Sequence, residues 1–461
     1  MGGAEHANQS REGRSMMRTQ ARSALAALMA GGCLFGLGAP VAQAQIQVDI
    51  SRGRTDPLPV AVAPFIAGQG VDPGLAEQAR AVLLADLERS GLFRPVDEAA
   101  FIQEIDSFSL KPRFADWRAI GARLLVVGEV VPVDGRADLF QLNTRLYDVA
   151  ASKALGARGF RAARQDWRRG PHKAADYVYS TLTGEEGYFN TRVAYVAESG
   201  DRTDRAKQLM LMDQDGANVT PLTEGLPYDA LTPRFSPNQQ QLIYLALFDD
   251  RPAQIYMLDL DDGDQEALGT FPGMTFAPRF TPDGRNVLLA IERGGNSDVA
   301  IMDLATRRLR VLTDSVAIDT SPSASPDGGQ ITFASDRGGS QQIYVMDANG
   351  QNQRRITFGD GTYGTPVWSP RGDLIAFTRQ YKSRFYIGVV KPDGTGERLL
   401  TEAYLDEGPT WSPNGRVIMF HREDRPGGPV GLYSVDLTGQ NLRRVDTPTE
   451  ASDPAWSPPL D

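Results

Sequence analysis

Acidic side chains recur at one place of a repeat that fills the second half of this chain. Aligned on that repeat they are Asp229, Asp319, Asp406 with Glu407, and Glu450 with Asp453; Met274, Ala277, Thr320 and Tyr363 take the other places. Carboxylates converging on one hole can do three kinds of chemistry. Their summed field can attract a cationic loop of another protein. Their oxygens can ligate a hard cation such as Ca²⁺, although no contiguous calcium-loop motif accompanies them. Two of them can serve as acid and base on a sugar, as in a lyase or glycosidase. The plainer alternative is that they are solvated turn residues. No cofactor and no metal centre are expected beyond that Ca²⁺ option.

Other reactive groups are sparse. His172 and His421 lie far apart and read as packed or capping residues, and the scatter argues against a histidine metal site. The single cysteine, Cys33, falls in the leader described below. No Gly-x-Ser-x-Gly occurs, so a peptidase of the prolyl-oligopeptidase type is not expected. The readings left open are a docking scaffold, a propeller that binds a small ligand or glycan, and a carboxylate-based propeller enzyme; the scaffold is favoured and no catalytic residue is assigned.

The elements that hold these acids are set by six similar marks: PRFSPN from Pro233, PRFTPD from Pro278, PSASPD from Pro322, PVWSPR from Pro366, PTWSPN from Pro409 and PAWSPP from Pro454. Their second prolines, at 237, 282, 326, 370, 413 and 458, are 43 to 45 residues apart. A period of that length with short alternating strands predicts propeller blades of four strands each. Phe235, Phe280, Trp368, Trp411 and Trp456 hold an aromatic place expected to pack between blades, with Ala324 the exception. The Pro-Asp/Asn-Gly that follows is a tight turn, in which proline presets φ and glycine supplies positive φ. Residues 191–223 supply second, third and outer strands without a first, and DPAWSP supplies a first strand, so the C-terminal strand is expected to close the ring.

Ahead of the repeats lies a region of different pattern. Asp72-Pro73 caps a helix running to Arg89 with Leu75, Ala79, Val82 and Leu83 as its buried stripe. LLVVGEVVPV from Leu124 is a buried strand, a hairpin follows, and a last helix ends at Gly184. The fold class is thus an α/β N-terminal domain plus an all-β six-bladed propeller closed by the C-terminal strand. The expected division is a signal peptide at 1–44, the α/β domain with a leading partner-binding strand at 45–187, and the propeller at 188–461.

The first 44 residues carry Arg11, Arg14, Arg18 and Arg22, an apolar glycine-interrupted stretch, and Ala42-Gln43-Ala44, which predicts cleavage between Ala44 and Gln45 and export. Met16 or Met17 would start a more typical signal. Cleavage leaves 44 basic against 56 acidic residues, a balance that argues against nucleic acid as a partner. The apolar stretch is too short and too rich in glycine to span a membrane.

These features together resemble the TolB family, the periplasmic components of the Tol–Pal system of Gram-negative bacteria. The residues that carry the resemblance are QIQVDI from Gln45, Ala63–Phe65, the junction from Phe189 to Tyr195, the six blades, and the terminal Pro454-Ala455-Trp456-Ser457-Pro458. The resemblance implies a periplasmic scaffold, expected as a monomer. One face of its propeller channel would bind the outer-membrane lipoprotein Pal, and its N-terminal strand, Gln45, Ile46, Gln47, Val48 and Asp49, would be bound by inner-membrane TolA. Other Tol–Pal components would join it in keeping the outer membrane intact and constricting at cell division, and colicins would exploit the same propeller site. For Pal it points to Met274, Ala277 and Thr320, with Asp319, Tyr363 and Asp406 beside them; some relatives carry histidine where Met274 stands.

Overall fold

The computed structural model describes residues 56–201, 204–237, 240–269 and 275–460. The expected leader, its cleavage site at Ala44 and Gln45, the strand Gln45 to Asp49, and Met274 lie outside the described residues.

The N-terminal part is a sheet backed by helices. Strands β1 (Leu58–Val62), β2 (Ile66–Ala67), β3 (Phe93–Pro95), β4 (Leu124–Val133), β5 (Arg136–Asp148) and β6 (Lys153–Ala163) pair in the order β3-β1-β4-β5-β6, with β2 on β4. Helix α1 (Pro73–Arg89) starts where Asp72 accepts the Gly74 N–H at 3.0 Å and proline follows, which satisfies one orphan donor of the first turn. Helix α2 (Phe114–Ala119) buries Trp117, and α3 (Arg169–Thr183) ends at Gly184, whose φ of 74° is the left-handed cap a glycine adopts without strain. Ala76, Ala79, Leu83 and Leu87 of α1 pack with Ala175, Val178 and Leu182 of α3 in one buried cluster. That cluster continues into Val193, Tyr195 and Trp456 of the ring, so one core spans the junction.

The rest is six sheets of four strands. Five are built from consecutive strands, and the sixth takes Glu450–Trp456 beside Arg192–Asp201, Asp204–Asp213 and Thr220–Pro221. Trp456 pairs with Val193 and Ala455 with Ala194, so the last strand completes the blade begun by the first and closes the ring. Within a blade the outer Leu/Ile-Thr has a specific task. Thr313, Thr357 and Thr401 accept the N–H of Val299, Ile343 and Ile387 on the third strand at 2.9, 2.9 and 3.0 Å. The turn after the first strand is equally local: Ser325 Oγ donates to Asp327 at 2.6 Å and accepts the Gln330 N–H at 2.9 Å, while Gly328 takes φ 70°.

The N-terminal part sits on the ring side formed by the first-to-second and third-to-outer turns. Asn414 Nδ2 donates to the Glu186 carbonyl at 3.0 Å, Asn441 Nδ2 to that of Arg89 at 2.9 Å, and Arg371 and Arg416 hold the Glu185 carboxylate. At the centre of the joint Asp86, fully buried on α1, meets Gln214 of the ring at 2.9 Å, Arg89 at 2.9 Å and His172 Nδ1 of α3 at 2.6 Å. His172 is therefore a packed joint residue.

Candidate partner-binding channel

Each inner strand starts before its proline and not at it. The strands run Asp229–Phe235, Thr275–Phe280, Asp319–Ala324, Thr362–Trp368, Leu405–Trp411 and Glu450–Trp456, and each breaks register in the middle. The break lies at one repeat position: Thr232, Ala277, Ser321, Thr365, Gly408 and Asp453, all with φ between 44° and 65° and all followed by proline. A bulge leaves a residue unpaired and turns it off the ladder. Here the six bulge residues line a single cavity of about 140 Å³ on the ring axis. Five of them tolerate the left-handed conformation at some cost because the ring over-determines it.

This geometry sorts the expected site residues. Ala277 is a bulge residue and lines the channel; Thr320 is half-buried one position before a bulge. Asp319, Tyr363 and Asp406, expected at an open mouth, are instead fully buried. Arg337 Nη2 donates to Asp319 at 2.7 Å. Arg422 grips Asp406 through two bonds of 2.7 Å, and Thr401 Oγ1 adds a third at 2.6 Å. The Tyr363 hydroxyl donates to Glu397 at 2.8 Å and its ring packs near Phe377. The physical reason is that the first residues of an inner strand are covered by the neighbouring strands, and a carboxylate there stays charged only with a guanidinium beside it.

The acids that remain near the surface are also answered: Asp229 accepts the Lys207 N–H at 2.8 Å, and Glu450 takes Arg205 at 2.7 Å. Of the predicted acids, Glu407 and Asp453 line the channel, with His421 between them. Its Nε2 is 4.0 Å from Glu407 and its Nδ1 accepts the Asp453 N–H at 3.4 Å. Burial pushes the Glu407 carboxyl above its ordinary range, with the Asp453 charge adding to it. Arg234 and Arg279, which the reading of the acids overlooked, line the same channel, Arg234 on the inner strand next to that of Asp453. The channel is thus polarised, basic on blades 1 and 2 and acidic on blades 5 and 6, in place of the uniformly negative mouth expected from the repeat. The two PRF marks were the available signal.

The ring face away from the N-terminal part carries exposed apolar side chains. Val316 and Ile318 precede the third inner strand, Phe358 precedes the fourth, and Leu247 ends a second strand on the same side; Val316 is 94% and Phe358 71% exposed. Large apolar groups exposed on one face in this way mark an interaction surface. Elsewhere, His172, Asp213 and Asp215 bring possible metal-ligating atoms within 4.8 Å of one another. The Arg168 guanidinium already pairs with Asp215 and lies 3.4 Å from Asp213, so positive charge is supplied from within the chain.

A closed six-bladed propeller with a polarised axial channel, an apolar free face and an α/β domain fixed to the other face defines a two-domain protein of the β-propeller class. Comparison narrows this. The model of the TolB beta propeller domain matches residues 179–460, and that of the TolB amino-terminal domain matches residues 46–155. The chain belongs to the TolB family. It is 50% identical over 262 residues to the Tol-Pal system protein TolB of Paramagnetospirillum magneticum, an alignment covering 56% of this chain and 58% of that protein. The matched part therefore spans less than two thirds of that relative. The crystal structure of TolB from Acinetobacter baumannii superposes with a TM-score of 0.75 at 28% identity, covering 90% of this chain and all of that one.

Proposed function

We propose that this chain is a non-enzymatic periplasmic scaffold of the Tol–Pal system, linking the outer-membrane lipoprotein Pal to inner-membrane TolA and so supporting outer-membrane integrity and constriction at division. One observation carries the reading: the N-terminal part occupies one ring face, while the other carries the exposed apolar side chains Leu247, Val316, Ile318 and Phe358. Pal would dock on that free face, with Ala277 in the channel and Thr320 beside it, and Met274 would join them as a contact. Asp319, Tyr363 and Asp406 would support the loops from behind instead of touching the partner. TolA would take the strand Gln45 to Asp49. No helix among the described residues is long and apolar enough to cross a membrane, which accords with an exported protein reaching its partners from between two membranes.

The test is a titration of Pal and of the periplasmic part of TolA against the full mature chain and a form lacking residues 45–49. The expected result is loss of TolA binding with Pal binding kept or tightened. Loss of both, or of neither, would overturn the assignment of two separate sites.

A further inference from the structure

Arg234 and Arg279 hold the same repeat position, one residue after the bulge proline, in blades 1 and 2. The other blades place Ser323, Val367, Thr410 and Ala455 there, so positive charge is confined to one arc of the ring. Both guanidiniums line the axial cavity of about 140 Å³. Among the described residues Arg234 donates at 2.6 Å only to the carbonyl of its neighbour Pro233. Arg279 has no hydrogen-bond or ion-pair partner among the described residues. Thr232, on the same wall, has its hydroxyl oxygen buried without a partner.

Two desolvated like charges side by side are costly unless a counter-charge meets them. Burial disfavours the charged form of both, and for Arg279 the nearby Arg234 adds to it. Asp453, on the neighbouring inner strand, acts on Arg234 but is outside ion-pair distance, and Glu407 and His421 line the same channel. A guanidinium fork matches the paired oxygens of a carboxylate or phosphate.

We infer that the channel arc formed by Arg234 and Arg279, with the Thr232 hydroxyl, is a binding site for an oxyanion of the carboxylate or phosphate class. The inference stands on the charge layout of the channel and does not rest on which protein docks there. Two sources share this chemistry: a free small anion, and an acidic side chain that a docking chain inserts from the free face.

The test uses the full mature chain in thermal-unfolding titrations at neutral pH and constant ionic strength, with potassium phosphate and N-acetyl-aspartate amide as separate probes against a chloride control. At saturating probe at least one raises the unfolding temperature of the wild type by about 2 °C or more. Response to phosphate alone assigns a free-anion site, and response to the aspartate probe assigns a side-chain site. The shift falls at least threefold in R234Q and R279Q, and R279K, which keeps the charge but lacks the fork, loses about tenfold in probe affinity. No shift over chloride with either probe, or a shift that survives in both glutamine variants, overturns the inference.

Discussion

The indole Nε1–H of Trp456 donates to Thr191 Oγ1 at 2.8 Å, joining the last inner strand to the junction just ahead of the first propeller strand. Trp456 also packs edge-on against Tyr188 and accepts a place in the core that runs into α1 and α3. One ring therefore latches the propeller and anchors the N-terminal domain to it. Trp456→Ala should cost about 3–5 kcal/mol, the range for truncating a buried tryptophan. Urea unfolding checks this; a loss below about 1 kcal/mol would mean that the latch lies elsewhere.

The buried ion pairs of the inner strands predict a large difference between removing one partner and replacing both. Asp406→Ala leaves Arg422 buried with only the 3.9 Å approach of the exposed Asp424, and should cost about 3–5 kcal/mol. The double change Asp406→Ala with Arg422→Met should recover much of that. If the single and double variants unfold at the same urea concentration, the pair does not act as a unit.

The interdomain joint should weaken as pH rises. Burial lifts the Asp176 carboxyl from 3.8 to about 6, against the pull of the Phe189 and Asn190 N–H groups it accepts. A raised folded value means a contribution fully present below pH 3.8 and lost as pH climbs to about 6, on the order of 2–3 kcal/mol. Burial opposes charge on His172, but Asp86 first, then Asp215 and Asp213, raise its pKa above 6.5, so its contribution is complete below 6.5 and lost above. Asp176→Asn should flatten the urea-midpoint curve between pH 4 and 6, and His172→Asn above 6.5. Curves parallel to the wild type would contradict this.

Ala324 stands where five blades carry an aromatic ring, and a cleft of about 560 Å³ opens there between blades 2 and 3, lined by Ile301, Ile331 and Pro326 among others. Ala324→Phe should raise stability by about 1 kcal/mol by covering those side chains. A lower unfolding temperature would show that the cleft walls cannot accept the ring.

The repeat itself was plain in the sequence because its turns need proline and glycine at fixed places, and closure followed from a first strand left over at Pro454–Pro458. The cap at Asp72-Pro73 and the stop at Gly184 were legible for the same local reasons. The channel was not. A proline inside a strand removes a ladder donor and reads as a strand start; only the pairing of Phe276 with Ala290 and of Arg279 with Leu288 reveals the bulge at Ala277. Asp319 read as a mouth residue because its partner Arg337 lies across a hairpin, where register decides the contact. Asp86 falls on the same helix face as Ala79 and Leu83, and its polarity hid a joint made by residues more than 80 positions away.

The most direct test of the scaffold account is the affinity of Pal for this chain carrying Val316→Asp and Phe358→Asp. Both side chains are exposed, so the fold should hold while binding weakens by about 2 kcal/mol or more, as for apolar anchors in an interface. Unchanged Pal affinity in the folded double variant, or no Pal binding by the wild type, would contradict docking on the free face of the ring.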